Sequence, residues 1–160
     1  MRISISIAAA LGAALLASAP AHADEPKLYS GTFCVANNGA TLYSGGRIFN
    51  TSSGFNTFEC AALRDHTDGG LWGGWVVVID RNDSQSARCD LSVQDSNSFD
   101  LLEVDTRFTA IAGNDFQRLD FTKDLHAPDP TSFYALTCII PGVREGLSSG
   151  IASFLLDEDD

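Results

Sequence analysis

From Leu28 onward, hydrophobic and polar positions alternate with a period of two rather than 3.6. Successive side chains of a β-strand point to opposite faces, so this period predicts strands with one face in the core. In segment 133–140 the apolar face comprises Tyr134, Leu136, Cys138 and Ile140. No window of a dozen residues after position 23 shows the pattern of an amphipathic helix.

The segment 75–79 is β-branched and continuous, which predicts a central strand covered on both faces. Turn-forming clusters such as Asn37-Asn38-Gly39 recur about every 8–12 residues, the spacing of a sandwich or barrel. We therefore predict an all-β domain, a two-sheet antiparallel β-sandwich of Greek-key or jelly-roll type. The other predicted strands are 31–36, 40–44, 47–50, 57–63, 87–93, 98–104, 106–111, 117–121, 133–140 and 150–157, with single turns within 63–68 and 143–147.

The first 23 residues have the composition of a secretory signal peptide. Met1-Arg2 supplies a positive start, residues 3–18 are almost entirely apolar, and Ala21-His22-Ala23 is a small-x-small cleavage pattern. The apolar run is too short for a membrane-spanning helix. We expect cleavage after Ala23, export to the periplasm or the exterior of a bacterium, and a single mature domain over 24–160.

The charge of the chain limits the classes of partner. Its 21 acidic and 10 basic residues give a net charge of −11. Nucleic acid and anionic lipid attract basic patches, so we expect neither as the main partner, and no membrane span in the mature protein. We also expect no cofactor, with calcium as the one alternative considered below.

Four cysteines remain after the signal peptide: Cys34, Cys60, Cys89 and Cys138. An even number in a small exported domain predicts two disulfides, and the spacings match no common zinc motif. Three pairings are possible and the sequence does not choose among them. We favour Cys34–Cys60 with Cys89–Cys138, because each bond then joins neighbouring regions of the chain. Three of the cysteines lie mid-strand among aliphatic residues. Their strands could supply the inward faces of two packed sheets, with the sulfurs in the core, and the alternative is that buried cysteine simply lies among aliphatic residues.

Six short motifs follow one another along most of residues 31–157: Ile48-Phe49-Asn50-Thr51-Ser52-Ser53, Phe58-x-Cys60, Val77-x-Ile79-Asp80-Arg81, Arg88-Cys89-x-Leu91, Tyr134-x-Leu136-x-Cys138-x-x-Pro141 and Ile151-x-Ser153. In this order they resemble small secreted bacterial proteins of unknown function. The motifs are strand patterns with cysteines. The resemblance implies a disulfide-bearing β-sandwich and carries over no functional residue.

The segment 69–75 combines two tryptophans with four glycines. A tryptophan beside glycines can form a platform on which sugar rings stack. Trp75 continues the face of Val77 and Ile79, so we expect it to be buried at the start of the strand. Trp72 is then expected on an exposed, flexible loop and is the candidate ligand-binding residue. Packing of Trp72 within the loop or the core is the alternative.

A cluster of oxygen ligands follows the most hydrophobic strand. Asp80, Asn82 and Asp83 offer carboxylate and amide oxygens of the kind that calcium binds. The loop lacks the glycine and the distal glutamate of an EF-hand, and Arg81 places a positive charge inside it. A hairpin turn needs Asn and Asp in any case, so calcium binding and turn formation both remain open.

Catalytic chemistry has few candidates in the mature chain. His66 and His126 each have an aspartate two residues away, which permits either acid–base work or an ordinary loop contact. The segment 146–150 matches G-x-S-x-G, but no histidine follows Ser148 and a strand is predicted next, so we reject a nucleophile elbow. We lean away from an enzyme.

Three functions follow as hypotheses. The first is a non-catalytic exported binding or envelope-interaction module, whose partner is a glycan or an envelope protein and whose contact residue is Trp72. The second is an exported hydrolase that uses carboxylate or histidine chemistry. The third is a structural subunit of a surface assembly, which would show as a long unpaired edge strand. The acidic terminus 157–160 is expected to be a solvated tail that discourages edge pairing of the last strand.

Overall fold

The computed structural model describes residues 26–62, 64, 69–111, 115–127 and 130–158. The predicted signal peptide, His66 and most of the turn predicted within 63–68 lie outside these residues. The described chain forms β-strands and a single turn of 3₁₀ helix at Gly31–Phe33. The strands are β1 Lys27–Ser30, β2 Cys34–Ala36, β3 Thr41–Ser44, β4 Arg47–Asn50, β5 Asn56–Ala61, β6 Gly70–Ile79, β7 Arg88–Gln94, β8 Leu101–Phe108, β9 Phe116–Phe121, β10 Leu125–His126, β11 Phe133–Ile140 and β12 Gly150–Glu158.

These strands form two antiparallel sheets, which confirms the predicted β-sandwich. One sheet has the order β2-β5-β11-β7-β8. The other has the order β10-β6-β12-β4-β3, with β1 also paired to β12 and β9 also paired to β6. Late strands lie between early ones: β11 lies between β5 and β7, and β12 lies between β6 and β4. This order gives the sandwich crossed connections of the jelly-roll type.

The core between the sheets follows from the alternation of side chains. In β11 every second residue is buried, beginning with Tyr134, as the period of two predicts. Each sheet has one apolar face of this kind. The two apolar faces pack against each other and bury their largest side chains. Fully buried members include Phe58, Val76, Leu91, Leu136 and Phe154.

Both predicted disulfides are present, with the favoured pairing. Cys34 bonds Cys60, and Cys89 bonds Cys138. Each bond joins residues directly opposite each other on neighbouring strands, β2 with β5 and β7 with β11. All four cysteines therefore belong to the five-stranded sheet. The first alternative, in which the cysteine strands supply the inward faces of both sheets, is wrong, since one sheet contains them all.

The bounds of several predicted strands were wrong. The two strands predicted at 98–104 and 106–111 form the single strand β8. Asp105, the residue between them, lies within β8, and its carboxylate accepts hydrogen bonds from the Arg107 side chain and from the amides of Thr122 and Lys123. The segment 31–36 begins as a 3₁₀ turn, in which the Ser30 hydroxyl accepts a hydrogen bond from the Thr32 amide.

The C-terminal strand differs from expectation. Residues 157 and 158 belong to β12, which has β6 on one side and β1 and β4 on the other. The acidic end therefore does not protect an exposed edge, because β12 is an inner strand. Glu158 pairs with Lys27 of β1 at 3.5 Å. Among the described residues, no helix is long and apolar enough to cross a bilayer.

The segment 143–147 forms a hairpin turn with two central residues. Arg144 and Leu147 exchange both backbone hydrogen bonds, and Glu145 and Gly146 between them have positive φ. Positive φ at both central residues is the signature of a type I′ hairpin turn. Ser148 is half-buried after this turn and is followed by β12 rather than by a helix, as expected from the rejection of a nucleophile elbow.

Candidate functional site on the outer face of the seven-stranded sheet

Strand β6 contains a bulge at Trp72. In its pairing with β12, Leu71 lies opposite Glu158 and Gly73 lies opposite Asp157, so Trp72 is an extra residue. An extra residue shifts the alternation of side chains by one position. Trp72 and Trp75 are three residues apart and would face opposite sides of a regular strand. Because of the bulge, both line the same groove on the outer face of the sheet.

Two expectations for this segment were therefore wrong. Trp72 belongs to strand β6 rather than to a flexible loop, although it is 63% exposed as expected. Trp75 shares a face with Val77, but that face is the outer one, and Trp75 is only half-buried. The core-facing residues of the strand are Val76 and Val78. The alternation was correctly assigned, but the face that is buried was not.

Two glycines form the floor of the groove between the indoles. A Cβ atom on Gly73 would lie 2.6 Å from the carbonyl oxygen of Phe121, and one on Gly74 would lie 2.4 Å from that of Leu155. Neighbouring backbones approach too closely for any side chain at these positions. These two glycines line an open groove of about 620 Å³, and Leu155, which lies opposite Trp75, lines it as well.

Polar groups from the neighbouring strands border this floor. The Arg118 guanidinium lies 5.0 Å from the centre of the Trp75 ring, and its Nε is 2.7 Å from Asp120 Oδ1. Asp157 borders the groove from β12. A concave surface that is largely apolar, with a few convergent polar groups, has the general character of a ligand site.

A smaller depression of about 150 Å³ lies on the other side of Trp72. Asp124 and His126 both line it, and both are exposed. The structure thus brings His126 near the indole and near the aspartate that the sequence pointed to. The depression is shallow and does not enclose these groups. A catalytic role for them remains a hypothesis, and His66 lies outside the described residues.

Each of the three predicted calcium ligands has its own hydrogen-bond or ion-pair partners within the protein. Asp80 is fully buried and accepts hydrogen bonds from the amide of Ala87 and the hydroxyl of Thr109. Asn82 Oδ1 accepts from Ser84, and Asp83 forms an ion pair with Arg144. No group of three or more His, Cys, Asp or Glu residues within the described part of the chain has the geometry of a metal site. Calcium binding by Asp80, Asn82 and Asp83 stays a prediction.

A second, separate groove lies on the outside of the five-stranded sheet. It has a volume of about 390 Å³ and is lined by Phe33, Val35, Glu59, Ala61 and Phe133 among others. Its walls are apolar, and one carboxylate borders it. It offers less polar chemistry than the tryptophan groove.

Sequence reasoning identified Trp72 but missed Arg118, Asp120 and Asp157. These residues lie on β9 and β12, which are distant from Trp72 in sequence and meet it only through strand pairing with β6. The one signal available was the pair Gly73-Gly74. Glycine inside a strand pattern often marks a bulge or a close backbone approach.

Comparisons with known proteins gave no match to any family model and none to any curated protein. Among solved structures, a low-affinity xylan-binding module, CBM86, from Roseburia intestinalis has a TM-score of 0.49 at 11% identity, covering 84% of this chain and 96% of the module. The CBM36-1 domain of a multidomain xylanase from the hindgut metagenome of Trinervitermes trinervoides has a TM-score of 0.49 at 9% identity, covering 82% and 96%.

A β-(1,4)-mannanase with the modules GH26 and CBM35 from Podospora anserina has a TM-score of 0.47 at 14% identity, covering 86% of this chain. The chain spans only 28% of the length of that enzyme. These likenesses are too distant to assign a ligand or an activity. The interpretation of the site rests on its own residues.

Proposed function

We propose that this protein is an exported, non-catalytic glycan-binding module whose site is the groove between Trp72 and Trp75. The observation that carries the proposal is the bulge in β6, which brings both indoles to one solvent-facing groove, where Gly73 and Gly74 place no side chain between them. Export is proposed from the signal-peptide pattern of residues 1–23. Two disulfides are consistent with it, because such bonds persist in oxidising compartments.

The chemistry of the groove suits a sugar. The C–H face of a pyranose ring is apolar and flat, so it packs against an exposed indole, while its hydroxyl groups require polar partners at the edge. Trp72 offers the open indole, and Asp120, Asp157 and Arg118 supply acceptors and donors at the border. The two glycines between the indoles leave room for a ring to reach both.

The test is binding to a panel of insoluble and soluble polysaccharides, followed by calorimetry with oligomers of any that bind. We expect Trp72→Ala to weaken binding by at least tenfold and to leave the melting temperature within about 2 °C of the wild type, because an exposed side chain contributes little to folding. Phe108→Ala is the matched control, since Phe108 is an aromatic residue 60% exposed on β8 of the other sheet. Retained binding by Trp72→Ala, or equal loss in Phe108→Ala, would reject the groove as the site.

An exported hydrolase is the alternative function for which the structure offers a candidate site. Asp124 and His126 line the depression beside Trp72, so a ligand on the indole would lie near them. Release of reducing sugar from a bound polysaccharide, abolished by His126→Ala, would favour catalysis over binding. Binding without release of product supports the module.

A structural subunit is less well supported. Strand β8 ends the five-stranded sheet and carries the exposed residues Leu101 and Phe108. Arg107 Nε nevertheless donates to the Asp120 carbonyl at 2.7 Å, which joins the C-terminal end of β8 to β9 of the other sheet. This contact occupies part of an edge that an assembly would need open.

A further inference from the structure

The outer face carries two tryptophans, and the protein supplies a cation to one of them. The Arg118 guanidinium lies over Trp75 and forms an ion pair with Asp120. An indole and a carboxylate thus hold one positive charge between them. This arrangement combines a cation–π contact with a charge-assisted hydrogen bond.

Trp72 has carboxylates beside it but receives no such cation from the described residues. Asp157 lines the groove on one side of the indole, and Asp124 lines the depression on the other. Asp157 is half-buried and forms no ion pair with the rest of the described chain. Arg118 occupies the position of the cation over Trp75. Around Trp72, the indole and the two carboxylates are open to a ligand.

We propose that Trp72 and the carboxylates on either side of it, Asp157 and Asp124, bind protonated amines, so that the ligand of the groove is a glycan with free amino sugars. This inference rests on the proposed glycan-binding function and specifies its substrate class. A protonated amine on a pyranose ring places its charge beside the carboxylates while the ring packs on the indole. The net charge of −11 attracts such a polymer and repels uronate or sulfated chains.

A metal ion fits these residues less well than an amine. Calcium takes six to eight oxygen ligands and does not bind the face of an aromatic ring in proteins. The described residues hold no cluster of three or more carboxylate, histidine or cysteine side chains with metal-site geometry. An ammonium group needs one or two carboxylate acceptors and gains from the indole.

The experiment compares glucosamine oligomers with their fully N-acetylated counterparts of equal length, by calorimetry at one pH below neutrality and at low salt. Acetylation removes the charge and keeps the sugar backbone. We expect the free-amine oligomer to bind at least fivefold more tightly, and its affinity to fall with added salt. Asp157→Asn should reduce this binding by roughly fivefold to twentyfold, the usual range for losing a charged partner.

The matched control is Asp100→Asn, which removes the same charge from an exposed loop outside the groove. We expect it to bind glucosamine oligomers as the wild type does. Equal affinity for the two oligomer series, or equal effects of the two substitutions, would overturn the amine site. If an uncharged oligomer such as cellohexaose binds better and still depends on Trp72, glycan binding stands and the amine inference fails. If no glycan binds at all, the proposed function itself fails.

Discussion

Replacement of Gly73 by alanine tests the structural basis of the site. Gly73 follows the bulged residue and has a φ of +153°, a conformation that residues with a side chain rarely adopt. Its ideal Cβ position is 2.6 Å from the carbonyl oxygen of Phe121 on β9. Gly73→Ala therefore forces either β9 to move away from β6 or the bulge to rearrange.

The cost has two sources. Strained backbone at a non-glycine residue costs of the order of 1–3 kcal/mol, and overpacking against fixed backbone costs a similar amount. Because the carbonyl belongs to a paired strand, it cannot yield as the end of a flexible side chain would. We expect a loss of roughly 2–4 kcal/mol in the free energy of unfolding, which corresponds to a fall of about 10 °C in the melting temperature. A rearranged bulge would also turn Trp72 away from the groove and weaken ligand binding.

Urea unfolding and calorimetric binding measure the two effects, with Gly39→Ala as the control. No heavy atom lies within 4 Å of a Cβ on Gly39, which is exposed in a loop. We expect the control to change stability by less than about 0.5 kcal/mol. If Gly73→Ala is as stable as Gly39→Ala, the close approach of β9 to β6 and the bulge derived from it are incorrect.

Three further changes test buried contacts and a disulfide that stabilise the fold. Asn50 is fully buried, and its Nδ2 donates to the carbonyls of Ile140 and Pro141 across the sandwich. Asn50→Ala should lower the free energy of unfolding in urea by about 2–4 kcal/mol. Thr51→Ala, at an exposed position, is the control and should leave it unchanged. Asp80→Ala leaves the Asn82 amide and the buried Thr109 hydroxyl without their acceptor, and the same assay should show a loss of about 2–4 kcal/mol; a smaller loss than that of Asp83→Ala would contradict this role. Replacing both Cys89 and Cys138 by alanine should cost about 2–4 kcal/mol, and reductant should then destabilise the variant less than the wild type.

Much of the fold could be predicted because alternation and turn chemistry act locally. Strands 47–50 and 133–140 were predicted with the bounds that the structure shows, since Gly46 precedes one and Pro141 follows the other. β1 and β10 were missed, and β10 has only two residues, too few to carry a pattern. That all the cysteine strands belong to one sheet was not predicted, since sheet order depends on contacts between distant segments.

The site was less predictable than the fold. The sequence pointed to Trp72 through its unusual composition, but its groove is completed by Arg118 and Asp157 from other strands. Trp75 was expected in the core because the face that it shares with Val77 in the regular alternation was taken as the buried one, and that face is the outer one. A bulge breaks that alternation at one residue, and the pattern of apolar residues alone does not reveal it.

The bulge also decides which side chain of β6 is buried. With Trp75 facing outward, a regular strand would turn Trp72 into the core and Leu71 toward solvent; the structure instead buries Leu71 and leaves Trp72 63% exposed. Burying the indole in place of the leucine would remove more apolar area from water, a gain of roughly 1–2 kcal/mol if the core were shaped to accept it. The local structure therefore keeps its larger apolar side chain in solvent, above a floor that tolerates only glycine. Stability alone does not account for that arrangement, and this is the reason that we propose a ligand for Trp72.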